Sequence, residues 1–220
     1  MNAVLRILGF ILCLLVWRWV GSHAFVPPWS AVLAVGGVLF VPPASRIARG
    51  ILDANATIQR AQRVTPFLHY FIMIALGSAL IESVKMALAS PRWMNPLLAG
   101  LGWGLTIVTG IAAALTVVSL ALRGLGAPFA IYLSRRLAAS GMYACTRNPM
   151  VLSLLAFLIS LGLWTRSGLL VAWTIGLFLP AMLYYLKTYE ERELEVRFGK
   201  DYLEYKARTP FLWPRKPRSK

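Results

Sequence analysis

Apolar residues run along this chain in long blocks, and the blocks are separated by Pro, Gly and clusters of Lys and Arg. A helix needs about 20 residues to cross bilayer hydrocarbon, so blocks of that order with breakers or charge at their ends are candidate spans. Six qualify: 4–20, 23–43, 64–89, 94–122, 149–164 and 167–186. The second holds the Gly36-Gly37 pair and is bounded by Pro27-Pro28 and Pro42-Pro43, positions that suit helix boundaries better than a helix centre. The fifth is short for a full span. The sixth follows it so closely that the two are predicted to form an antiparallel hairpin. The expectation is an all-α integral membrane protein of about six transmembrane helices. Residues 1–122 would form four N-terminal spans, and residues 123–220 a second region with the linker, the hairpin, a cytoplasmic amphipathic helix and a basic tail.

Composition agrees with lipid as the solvent. The chain of 220 residues is 58% hydrophobic and 14% charged, with a mean hydropathy of +0.65, more apolar surface than one water-soluble core buries. The net charge of +15 would suit nucleic acid if it were clustered on a soluble face. Here the charge lies between and after apolar runs, so no nucleic-acid partner is expected. Its distribution instead orients the spans, because cytoplasmic loops collect Lys and Arg. With six spans, Arg18, Lys85, Arg92 and Arg166 fall on one side and the rest of the 23 basic residues on the other. Both termini would then be cytoplasmic. A competing reading takes the N-terminus as a signal peptide cleaved near Ser22-His23-Ala24, which leaves five spans. The tail from Arg215 to Lys220 is expected to be drawn to anionic headgroups, making membrane lipids a partner.

Few polar groups interrupt the spans. Glu82 and Lys85, at i and i+3 in the third, can reach each other. The plainer expectation is that they snorkel at the outer interface, the alternative being a functional pair. Gly100 and Gly104 form a GxxxG step that predicts close helix approach in the fourth. Cys13 and Cys145 lack disulfide or zinc spacing, and with only His23 and His69 to add, no bound metal is expected.

Chemistry concentrates after Gly124, which opens a Gly-Leu-Gly-Ala-Pro stretch. Gly141 permits an unusual turn before Tyr143, and Pro149 suits the first turn of the fifth helix. That puts Arg147 and Asn148 at the mouth of the hairpin. Beyond the sixth helix Glu190, Leu194 and Phe198 recur at i, i+4 and i+8, one stripe of a helix that stops or restarts at Gly199. Glu190 and Glu191 by themselves read as a solvated helix start, where acids suit the dipole. Set opposite Tyr143, Arg147 and Asn148 by the hairpin, they acquire a chemical task.

The ordered pattern Gly-x-Tyr-x-x-x-Arg-Asn-Pro-Met from Gly141 to Met150, a helical hairpin, Glu-Glu-x-x-Leu-x-x-x-Phe-Gly-x-x-Tyr-x-x-Tyr from Glu190 to Tyr205, and a Pro-containing end at Pro214 resembles the signature of isoprenylcysteine carboxyl methyltransferases and phospholipid methyltransferases. The resemblance covers Gly124 to Pro214. It implies a membrane-embedded enzyme that moves a methyl group from S-adenosylmethionine to a lipophilic acceptor, an isoprenylcysteine-type carboxylate or a phospholipid amine. By resemblance Tyr143, Arg147, Asn148, Pro149, Met150, Glu190 and Glu191 bind S-adenosylmethionine, and Arg147 and Glu191 carry catalytic roles. Asn148 stands where the carboxyl methyltransferases typically have His, and Val151 where a Tyr often follows the Met. The Asn variant points toward a bacterial inner membrane. Alternatives are a sterol-reductase-type enzyme using NADPH, a small-thiol methyltransferase, and a non-catalytic membrane protein of the same fold.

Overall fold

The computed structural model describes residues 3–92, 94–124, 134 and 136–216. Most of the Gly-Leu-Gly-Ala-Pro stretch and the last four residues of the basic tail lie outside them. Among the described residues five helices are long and apolar enough to cross a membrane, compatible with an integral membrane protein. These are α1 (Ala3–Ser22); α2 (Trp29–Leu39) running into α3 (Val41–Asp53); α4 (Ile58–Ala89); α5 (Pro96–Gly124); and a final helical course that begins at Gly168. Between the last two lie the single turn α6 (Met142–Cys145) and the shorter apolar α7 (Pro149–Trp164).

Pro27-Pro28 delay the second helix to Trp29, but Pro42-Pro43 do not end it. They sit in the first turn of α3, where the missing N–H costs nothing, and the helix continues to Asp53. α4 begins one and a half turns before its apolar block does, because the Thr57 side chain caps it by accepting from the Arg60 N–H.

The final course runs through α8 (Gly168–Trp173), a π turn at Thr174–Phe178, α9 (Leu179–Tyr185), a second π turn at Leu186–Glu190 and α10 (Glu191–Phe198). Pro180 accounts for the first π turn, since it has no N–H to donate one turn back. From Gly168 to Phe198 this course is about 46 Å long at ~1.5 Å per residue, half as long again as the ~30 Å of hydrocarbon. Its apolar part ends at Leu186, so the charged part from Lys187 stands beyond the spanning segment. Glu190 and Glu191 are therefore not a helix start. They lie in mid-helix, and the N-terminal dipole plays no part in placing them. The expected break at Gly199 is present: φ is +51°, and α11 (Lys200–Arg208) starts again directly.

α4 is the central post. Trp17 of α1 donates to the Met73 carbonyl at 3.0 Å, and Gly37 of α2 lies flat against the Ala75 carbonyl, where a Cβ would stand 2.4 Å away. Buried side chains from α2, α3, α4, α7 and the final course form one core, so the N-terminal spans and the C-terminal region share it. α1 and α5 are peripheral and expose long apolar faces. α5 leans on α7, but not through the GxxxG step. A Cβ at Gly100 or Gly104 would meet nothing within 4 Å, whereas one at Gly102 would lie 2.3 Å from the Trp164 backbone nitrogen.

Contacts between chain ends sort the bundle into two ends. Arg192 pairs with Asp53 at 2.7 Å, and Arg60 reaches the Ile51 carbonyl, at what we call the basic end. At the far end Arg166 donates to the Met94 carbonyl at 2.7 Å. Lys85 there does not simply snorkel. Its ammonium meets buried Glu82 at 2.5 Å and the Val20 and His23 carbonyls at the end of α1, so the pair caps that helix.

Candidate functional site

At the basic end the short stretch before α7 is stitched to the chain after α11. The Arg147 N–H donates to the Pro210 carbonyl at 2.9 Å, and the Arg215 N–H to the Cys145 carbonyl at 3.0 Å. Asn148 contributes its side chain to the same seam, donating through Nδ2 to the Phe211 carbonyl at 2.8 Å, so it fixes the turn. Gly141, at φ +64°, makes the turn into α6 that a side chain would resist. Tyr143 is buried, and its carbonyl receives the Tyr205 hydroxyl at 2.7 Å. Pro149 and Met150 form the first turn of α7, Pro149 buried and Met150 half-buried.

Seam and hairpin together bring both parts of the sequence pattern into one place. Arg147 meets Glu191 at 2.5 Å, with both side chains largely buried. The other Glu191 oxygen faces Lys206 of α11 at 2.8 Å, and Lys206 also reaches Glu195 at 3.0 Å. The Arg147 guanidinium lies over the Phe211 ring and beside the hydroxyl of buried Tyr202. Even so, Arg147 Nε and Nη1 and Glu191 Oε1 have no aligned hydrogen-bond partner among the described residues. The charges touch without satisfying their directional bonds.

Glu190 points elsewhere on the helix. It lies one turn from Tyr185, whose hydroxyl is 2.6 Å from His69 Nε2 on α4. A second rung runs parallel one turn away, where Thr65 meets the Tyr189 hydroxyl at 2.9 Å and Glu193 binds Arg197 at 2.8 Å. Desolvation, then the neighbouring charges of Glu193 and Glu191, push the Glu190 carboxyl up to about 7. Burial, with the Glu190 charge second, raises the Tyr143 hydroxyl well above its ordinary range. Glu190 is deeply placed yet keeps accessible surface. Burial therefore keeps this carboxyl protonated well above the range in which an ordinary glutamate ionises.

Of the residues singled out by the sequence pattern, the structure brings Arg147 onto Glu191 and Tyr143 within reach of the Glu190 charge, while Asn148 spends its amide on the backbone. The pattern gives no hint of Tyr185 or Lys206 as neighbours. His69 alone left a signal, as an ionisable residue within an apolar run. Among the described residues no group of three His, Cys, Asp or Glu could hold a metal ion. No family model, curated protein or solved structure matches the chain.

Proposed function

We propose that this chain is an integral membrane methyltransferase that uses S-adenosylmethionine and a lipophilic acceptor. The observation that supports the reading most is the convergence of Tyr143 and Arg147 with Glu190 and Glu191 across the hairpin, matching the order of the signature it resembles. The donor set fits that molecule. Its carboxylate suits the unsatisfied Arg147 edge, and its ammonium, hydroxyls and sulfonium suit Glu190 and Glu191.

When bound, S-adenosylmethionine supplies an electrophilic methyl group on a sulfonium. Little covalent help is then required of the protein, which has to hold donor and nucleophile in line and keep water out. Arg147, braced by Phe211 and Tyr202, orients a carboxylate. Glu191 is held between Arg147 and Lys206 and positions that guanidinium. Glu190, with Tyr185 and His69 behind it, is the carboxyl free to take a proton when the acceptor is an amine; a carboxylate acceptor needs no base. The apolar faces of the bundle keep such an acceptor within reach from the bilayer.

The reading is tested by incubating the protein in liposomes with methyl-labelled S-adenosylmethionine and a panel of long-chain carboxylates, amines and thiols. Label in one lipid class, lost in Glu190→Gln, supports it. NADPH-dependent reduction without label transfer replaces it with the reductase reading.

A further inference from the structure

A cleft of about 740 Å³ opens at the far end of the bundle, between the end of α4, the start of α5 and the end of α7. At ~1.5 Å per residue the length of α7 puts it about 24 Å from the Arg147 cluster, so it is a separate site. Leu88, Gly100, Trp103 and Trp164 line it, together with Arg92 and Arg166. Gly100 matters because a Cβ there would meet nothing within 4 Å: the groove is open where a side chain would otherwise intrude.

The charge of this cleft is uncompensated. The chain has eight acids, and Glu82 alone lies at this end, buried and held by Lys85. Among the described residues no carboxylate remains for Arg92 or Arg166. Arg166 is also held in place: its backbone adopts φ +57°, uncommon for a residue with a side chain, while its guanidinium donates to the Met94 carbonyl. Two fixed or exposed guanidiniums beside an apolar groove with two tryptophans match the level at which a bilayer places its phosphates.

We propose that this cleft binds one anionic phospholipid, its phosphate against Arg92 and Arg166 and one acyl chain along the groove past Gly100. The apolar walls favour a lipid over a free anion, which would leave them exposed to water. A zwitterionic headgroup brings a cation toward the two arginines and binds more weakly.

Native mass spectrometry of the full chain from detergent, with phosphatidylglycerol, phosphatidylcholine of the same chains, or inorganic phosphate added, tests this. One phosphatidylglycerol is expected to be retained at least tenfold more tightly than phosphatidylcholine. Arg92→Gln should weaken it severalfold, and Gly100→Leu at least tenfold. Gly100→Leu leaves both arginines in place and puts its Cβ in open space, so an unchanged thermal melt will show that the fold is intact. Equal retention of the two lipids, phosphatidylglycerol binding indifferent to Gly100→Leu in folded protein, or inorganic phosphate competing as well as lipid would each overturn the proposal.

Discussion

Replacing Gly102 by Ala should destabilise the bundle, and replacing Gly104 by Ala should not. At Gly102 the added methyl would stand 2.3 Å from the Trp164 nitrogen and 2.7 Å from the Leu163 carbonyl carbon. Comfortable carbon contacts lie at about 3.5–4.0 Å, so α5 must withdraw from α7 by roughly 1 Å. Those neighbours are backbone and cannot rotate away. Overpacking of this kind costs about 1–3 kcal/mol, and the upper part of that range applies. Ala recovers up to ~1 kcal/mol of helix propensity, leaving a net loss of about 1–2 kcal/mol. In lipid, where apolar burial does not drive helices together, the lost contact has no substitute. At Gly104 the methyl meets nothing, so only the propensity gain of up to ~1 kcal/mol remains. The two variants should therefore differ by about 2–3 kcal/mol in unfolding by sodium dodecyl sulfate in mixed micelles. Gly104→Ala proving the more damaging would show that α5 packs through its GxxxG face and would refute the helix placement.

Two further predictions concern the basic end. Glu191→Leu strands Arg147 opposite an apolar side chain and should cost up to about 3–5 kcal/mol, moderated because Lys206 keeps Glu195 and Arg147 keeps Phe211 and Tyr202; adding Arg147→Met should restore part of the loss, and strictly additive effects would mean that the two do not interact. Glu190 supplies a pH signature. Its carboxyl titrates at about 7 in the fold and near ~4.3 when unfolded, so the protonated form is favoured by folding. Its contribution to stability is complete below ~4.3 and is lost as pH rises through about 7. The unfolding midpoint should decline over that window in wild type and flatten in Glu190→Gln; parallel curves would show that Glu190 is not desolvated.

Hydropathy made the helices legible, and α7 occupies the interval from Pro149 to Trp164 that its apolar block predicts. Boundaries failed where polar residues extend a helix beyond its apolar part. α4 starts at Ile58 because Thr57 caps it, and α3 continues past Pro43 to Asp53 because proline fits a first turn. Gly100 and Gly104 show why a packing motif needs a partner: the spacing is present, but the face turned to α7 is that of Gly102. At the candidate site, Tyr143, Arg147, Glu190 and Glu191 could be grouped from the ordered motif. The division of labour between the two glutamates could not, because it depends on which helix each one faces. Glu191 meets Lys206 only because Gly199 turns α11 back, and Tyr185, one turn from Glu190, meets His69 only because α4 packs behind the final course.

The central claim is that the basic end holds S-adenosylmethionine, and calorimetry on detergent-purified protein tests it most directly. Wild type and Gly104→Ala should bind saturably, while Arg147→Ala and Glu190→Ala should each weaken binding at least tenfold, about 1.4 kcal/mol. Folded wild-type protein that binds no S-adenosylmethionine, or that binds NADPH in its place, would contradict the account.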